Sequence, residues 1–499
     1  MPFSSTRGHE KLTASQAILR GLASDGGLYV PDDYPEVSQE TLREFISWDY
    51  KTRASYILSL FLDDYTKEEL DAACAEAYSE SRFGGYPAPV KTINENTHVL
   101  ELFHGPTLAF KDMALQMLPH LLTMASKKAG EKREVAILVA TSGDTGKAAL
   151  EGFLDVQGTS CTVYYPRGGV SPVQEAQMNT TKGSNTHVIS VEGNFDDTQT
   201  GVKALFGSEE FRAECQKAGR VLSSANSMNF GRLVPQVVYY FSAYADLCKS
   251  GAIALGDKID FSVPTGNFGD ILACEYARRM GLPVRRMICA SNKNKVLTDF
   301  FKSGVYDRRR EFYKTNSPSM DILISSNLER LLYTVSGNDG AQVAEWMKEL
   351  KENGVYSIGE EKRAELAKLF TGGYADEARL LAEIKRVFDK YGYLMDTHTA
   401  VASAVLEDLR NEDGDMTPCV IVSTANPYKF SADVLFALTG EKQTDGFASA
   451  EKLEKLSGVP VPNQVKVLPT LPRLHFDTCK AKAMGALALD FFKAKPIAR

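Results

Sequence analysis

The chain has 499 residues, 43% hydrophobic and 24% charged, enough to bury a large core and unlike a disordered or fibrous composition. Its 57 basic and 64 acidic residues leave a net charge of -7 with no basic tract, which argues against nucleic acid as a partner. The eight cysteines form no C-x-x-C pair for zinc or iron–sulfur, no apolar run reaches the ~18 residues of a membrane span, and "MPFSSTRGHEKLTASQ" lacks the core of a signal peptide. A cytoplasmic protein with reduced thiols and no membrane contact is the expectation.

The first stretch alternates helical patterns such as "SQETLREFISWDYKTRASYILSLFL" with short turns, and the Gly/Pro cluster "RFGGYPAP" closes it. Strand and helix patterns then alternate. "EVAILVA", "CTVYYP" and "NTHVISVEG" read as buried strands, and "SPVQEAQMNTT" and the long "RLVPQVVYYFSAYADLCKSG" as helices. "KIDFSVPTGNFGDILACEYARRMGLPVRRMICASN" repeats strand, glycine loop, helix and strand. Between 294 and 390 charged helical patterns dominate, and "PCVIVSTANPYKF" returns to strand and loop. Repeated βαβ units predict a parallel sheet covered by helices.

Ligands of such sheets bind beyond the carboxyl ends of the strands, so the strand–loop–helix junctions carry the most information. In "VPTGNFGDILA", Gly266 and Gly269 flank Asn267 and Phe268, with Asp270 next. This is either an ordinary turn or a phosphate cradle at a helix N-terminus. "LVATSGDTGKAAL" fails the Walker A pattern at Thr141 and Ala148. Thr141, Ser142, Gly143, Asp144 and Thr145 remain as either a capped helix start or a carboxylate-binding loop. In "SANSMNFGRLVPQ", Asn226, Ser227 and Asn229 are partly explained by capping, and Arg232 is either a surface arginine or an anion ligand. Finally, "LFHGPTLAFKDMALQ" sets Lys111 among Leu108, Ala109, Phe110, Met113 and Leu115. Its ammonium either bends to water or sits in an apolar pocket that lowers its pKa and makes it a nucleophile. Together, a phosphate cradle, a carboxylate loop and a depressed lysine are the parts that a pyridoxal phosphate Schiff base needs.

The blocks "ELFHGPTLAFKD", "ATSGDTG", "SANSMNFGRL", "VPTGNFGDILA" and "STANPYKF", with "GLASDGGLYVP" near the start, resemble threonine synthase in the same order. The likeness is to its bacterial and fungal branch. It implies an α/β protein of pyridoxal phosphate fold type II, similar to tryptophan synthase β. Residues 1–95 would form a small helical N-terminal domain and 96–225 a smaller α/β domain with the lysine. Residues 226–499 would form a larger α/β domain with the glycine loop and a helical insertion near 294–390. By that resemblance Lys111 forms the Schiff base, while Gly266, Asn267, Phe268, Gly269 and Asp270 bind the phosphate of pyridoxal 5'-phosphate. Thr424 meets the pyridine nitrogen and Asp144 lies near the 3′-oxygen. Ser142, Gly143 and Thr145 take the substrate carboxylate, and Thr141, Asn226, Ser227 and Arg232 its phosphate. The implied substrate is O-phospho-L-homoserine, converted with water to L-threonine and phosphate by a monomer or homodimer. Asn426, Tyr428 and Lys147 depart from the commoner family residues, and Phe103, His104 and Phe110 read as packing around the lysine. The rival readings are a phospholyase or serine/threonine dehydratase using the same cofactor, an ATP-binding protein and a silent scaffold.

Overall fold

In the computed structural model the described residues are 1–494, the side chain of Asp196 excepted. Helices such as Tyr50–Phe61 and Lys67–Ala77 build the N-terminal part. Beside them lies a small antiparallel sheet of β1 (Phe3–Ser5), β2 (Lys11–Leu12) and β3 (Tyr29–Pro31). The helical expectation omits these strands because two or three residues are too few to show an alternating pattern.

Beyond it run β4 (Val90–Asn94), β5 (Thr97–Glu101), β6 (Glu134–Ala140), β7 (Thr159–Pro166) and β8 (Thr186–Glu192). Next come β9 (Arg220–Ser223), β10 (Ile259–Pro264), β11 (Val284–Ser291), β12 (Val305–Asp307) and β13 (Val355–Ser357). The last three are β14 (Phe370–Tyr374), β15 (Cys419–Ser423) and β16 (Asp477–Lys480). They assemble into two large sheets. One has the order β14-β11-β10-β15-β5-β4 and is parallel except for β4; the other, β16-β8-β7-β6-β9, is parallel throughout. Every residue of β5, β6, β7, β10 and β15 is buried, which is why a strand such as β6 reads as a continuous apolar run.

The sheets interleave along the chain. β5, which leads to Lys111, lies in the six-stranded sheet beside β15, whereas β16 near the C-terminus joins the five-stranded one. A cut at residue 225 therefore does not separate them, because a parallel neighbour can lie hundreds of residues away. The region near 294–390 is mainly helical, but β14 within it adds an outer strand by pairing with β11.

The helix Phe230–Ser250 is buried on nearly every face, because it packs both on the N-terminal helix Tyr50–Phe61 and on Gly269–Arg279. Arg53 fastens the first of these contacts. It is 1% exposed and donates to the Phe45 carbonyl, the Ser242 hydroxyl and Asp246 Oδ1, each at 2.8 Å. Removing one partner of such a network leaves the others unsatisfied. Arg53→Ala should therefore cost about 2–4 kcal/mol and release the N-terminal helices first, visible as a lower unfolding temperature and earlier proteolysis there. A variant as stable as the parent would show that the pair contributes nothing.

Candidate active site

Five loops converge, each at the carboxyl end of a parallel strand. The Lys111 loop follows β5, Thr141–Thr145 follows β6, Asn226 and Ser227 follow β9, Thr265–Asp270 follows β10, and Thr424 follows β15. One cavity gathers Lys111, Thr141, Ser142, Asp144, Thr145, Asn226, Ser227 and Arg232 with Gly266–Asp270 and Thr424. Gly143 alone of the expected residues is not among its lining. Its φ of +132° and its contact with Gln174, 2.4 Å from where a Cβ would stand, set it behind the loop as a position only glycine fits.

Lys111 starts the short helix Asp112–Leu115 and is largely buried, with Nζ 4.4 Å from the centre of the Phe110 ring. Burial lowers its pKa, Asp144 and Asp270 oppose that, and Lys429 and Arg232 add to it. The lysine thus turns inward rather than to water, but the cavity it enters is mixed, with Phe110 beside Thr141, Ser142 and Asp144. Two of the four non-glycine residues with positive φ among those described lie in these loops, Leu108 at 61° and Phe268 at 64°. Such conformations cost energy and persist where packing enforces them. Here the Phe268 ring is buried against Phe301 and Phe370, 6.0 Å from each.

Asp144 does not cap its helix. The cap is Gly143, and the Thr141 hydroxyl accepts from the amides of Gly143 and Gly146 at 2.9 and 2.8 Å. The Asp144 carboxylate instead accepts from Gln174 and Lys429, each at 2.8 Å, and lies 3.7 Å from Lys111 Nζ. Burial works against its charge, yet the two lysines hold it well below the usual carboxylate range. In the third loop Asn229 is the cap, accepting from Gly231 at 2.9 Å, so Asn226 is left with a buried, unpartnered Oδ1. Arg232 is 3% exposed rather than on the surface. Its Nη1 donates to the Ala225 carbonyl at 2.5 Å, its Nε has no partner, and burial lowers its pKa to about 10. It is still a cation at neutral pH.

The helix Gly269–Arg279 opens onto the cavity without a side-chain cap. A Cβ added at Gly269 would meet no protein atom closer than 3.4 Å, and its neighbours there include Gln236 and Ser227, both lining the cavity. Asp270 Oδ1 accepts from Tyr239 and Tyr240 at 2.5 and 2.6 Å while Oδ2 is buried and unpartnered. Burial pushes Asp270 up to about 6, so it becomes a neutral donor more readily than an ordinary carboxyl. A glycine loop that leads into a helix N-terminus with no side-chain cap fits an anionic group such as a phosphate.

Sequence reasoning missed Phe195, Gln199, Gln236, Ser319 and His398 in the lining, and Lys429 and Gln174 behind Asp144. Lys429 stood inside "STANPYKF", but nothing in that string turns it inward. Lys147 points to Glu151 and Thr181, the Asn426 side chain caps the turn Pro427–Phe430, and Tyr428 donates to the Val459 carbonyl, so these departures do not line the cavity. His104 pairs with Glu101 at 2.9 Å outside it. Among the described residues there is no cluster of potential metal ligands, and no helix is long and apolar enough to cross a membrane.

Comparison with known proteins matches three families in order: "Threonine synthase N terminus" at residues 2–78, "Pyridoxal-phosphate dependent enzyme" at 87–369, and "Threonine synthase, C-terminal" at 399–472. A threonine synthase of Saccharomyces cerevisiae is 37% identical over 487 residues, covering 91% of this chain and 93% of the relative. The chain belongs to the threonine synthase family. The crystal structure of pyridoxal phosphate-bound threonine synthase from Brucella melitensis superimposes with a TM-score of 0.87 at 37% identity, covering 99% of each chain. The fold is thus that of fold type II, and the cofactor is pyridoxal 5'-phosphate. A "Threonine synthase-like 1" protein of Pongo abelii is 40% identical over 444 residues, covering 86% of this chain. This chain spans 59% of that relative's length. The chain's likeness is therefore not specific to the bacterial and fungal branch that the motifs suggested.

The cradle gives a direct test. Gly269→Val should leave the cofactor-free fold intact, since a Cβ there makes only ordinary van der Waals contacts, but should weaken pyridoxal phosphate binding by at least about 100-fold through lost backbone approach, roughly 3 kcal/mol. Fluorescence titration of the cofactor reads this, and unchanged affinity would place the phosphate elsewhere.

Proposed function

We propose that the chain is a threonine synthase, converting O-phospho-L-homoserine and water to L-threonine and phosphate. The observation that supports this most is Arg232, a buried guanidinium with an unpartnered Nε in the same cavity as Lys111. A buried cation of this kind is costly unless it receives an anion, and a phosphorylated substrate supplies one.

Gly266–Asp270 hold the cofactor phosphate in this reading, and Thr424 meets the ring nitrogen. Bound there, pyridoxal phosphate supplies an electron sink that acidifies the protons of an attached amino acid. The backbone of Thr141–Thr145, with the Ser142 and Thr145 hydroxyls, holds the substrate carboxylate. Lys111 accepts the Cα proton and then moves the Cβ proton, as a desolvated amine beside the reacting carbons can. Arg232, with Asn226 and Ser227, holds the phosphate at Cγ, neutralising the charge that grows as it leaves. A proton delivered to Cγ makes the methyl group, water adds its hydroxyl at Cβ, and a proton returned to Cα completes L-threonine. A small-molecule substrate is thus the partner proposed, with neither nucleic acid nor membrane required.

The test is a product assay. O-phospho-L-homoserine should give threonine and phosphate in equal amounts, while phosphoethanolamine and L-serine give neither phosphate nor keto acid. Keto acid from serine without threonine from phosphohomoserine would make the chain a dehydratase, and phosphate from phosphoethanolamine a phospholyase.

A further inference from the structure

Asp144 is shared by two lysines, and the sharing is unequal. The Lys429 side chain is 0% exposed, and its Nζ donates to Asp144 Oδ1 at 2.8 Å and to the Thr107 carbonyl at 2.7 Å. Two of the three donors of its ammonium are thus engaged, one of them by a carboxylate. Lys111 Nζ lies 3.7 Å from Asp144 Oδ2, beyond a hydrogen bond. The pair also joins the two sheets: Lys429 sits on the turn Pro427–Phe430 that follows β15, and Asp144 on the loop after β6.

One carboxylate neutralises one ammonium. We propose that Lys429 is a positioning residue that takes up the charge of Asp144 and so leaves Lys111 in the cavity as a neutral amine. This deepens, and rests on, the reading of Lys111 as the cofactor lysine. The other charged groups facing Lys111 agree with it. Arg232 is a further cation, which disfavours an ammonium at Lys111. Asp270, the second acid near it, is engaged by two tyrosine hydroxyls, and burial drives it towards its neutral form. Asp112, next in sequence, has both carboxylate oxygens engaged by the Thr107 amide and hydroxyl at 2.8 and 2.7 Å. Asp144 is therefore the counter-ion for which the lysines compete, and Lys429 holds the shorter bond.

The experiment reads the titration of Lys111 in the cofactor-free full chain, as the pH dependence of its acetylation by acetic anhydride, mapped by mass spectrometry. In the wild type Lys111 should react as free amine at lower pH than an ordinary lysine, the direction its burial sets. Lys429→Met should move that profile up by about one unit or more, a tenfold loss of free amine at fixed pH, because Asp144 then pairs with Lys111 alone. Lys429→Arg, which keeps the cation, should restore the profile, whereas a merely structural role would change stability without moving it. Should Lys429→Met not fold, Lys429→Gln removes the charge with a hydrogen-bonding group, and the wild-type profile needs no variant. A wild-type Lys111 that titrates like an exposed lysine, or an unmoved or lowered profile in the neutral variants, overturns the proposal. The cofactor assignment fails separately. A pyridoxyl group found on Lys111 after reduction, with an unmoved profile, removes only the role of Lys429; a pyridoxyl group on another lysine removes the reading of Lys111.

Discussion

Lys111→Ala should abolish threonine formation, by at least about 10³-fold, while the protein stays folded and the glycine cradle still binds the cofactor phosphate. The size follows from two losses at one residue, the amine that anchors the cofactor and the base that moves the substrate protons. The variant removes a nearly buried amine whose charged form burial already disfavours, so no strong ion pair is broken and stability should change little. Borohydride reduction and peptide mapping of the wild type should place the pyridoxyl group on Lys111. A group found elsewhere, or a variant that still turns over, sinks the assignment.

Arg232→Ala carries the second large effect, and it falls on the substrate rather than on the cofactor. Loss of a charge-assisted bond to phosphate in a closed site should cost about 2–4 kcal/mol of transition-state binding, roughly 30- to 1000-fold in kcat/KM for O-phospho-L-homoserine. Arginine suits this role because its planar fork meets phosphate oxygens in pairs. Binding of unphosphorylated amino acids, followed by the absorption of the bound cofactor, should change by less than about threefold. An equal loss with both kinds of ligand would mean that Arg232 supports the whole cavity. Because burial has already lowered its pKa to about 10, phosphate recognition should also weaken towards alkaline pH earlier than with an exposed arginine. The sign follows from the cation being the binding form.

What the sequence made legible was whatever depends on neighbours along the chain. "EVAILVA" is β6 because seven consecutive buried residues need a strand covered on both faces. The glycine loop was readable because close backbone approach restricts residue type locally. Arg232 and Lys429 were not readable in the same way. Lys429 is buried by partners from other loops, Asp144 and Thr107, and Arg232 by a fold-back onto the Ala225 carbonyl of its own loop; a cationic side chain in a short string looks the same turned inward or outward. Ser319 and His398 were missed for a related reason: they come from segments that carry no strand–glycine–helix signal, and only the sheet order brings them to the cavity.

That sheet order also dictates when the site can exist. β5 is joined to the centre of its sheet only through β15, which lies between it and β10. While the chain emerges from a ribosome, the strand leading to Lys111 is made early, yet its inner neighbour is not made until Ser423. At about 5–20 residues per second the wait lasts on the order of tens of seconds. Throughout it, β5 has only the antiparallel β4 beside it and presents an edge of unpaired backbone groups that another nascent chain could pair with. Fragments stopped short of residue 419 should therefore be captured by chaperones or aggregate, and none of them can assemble a cavity.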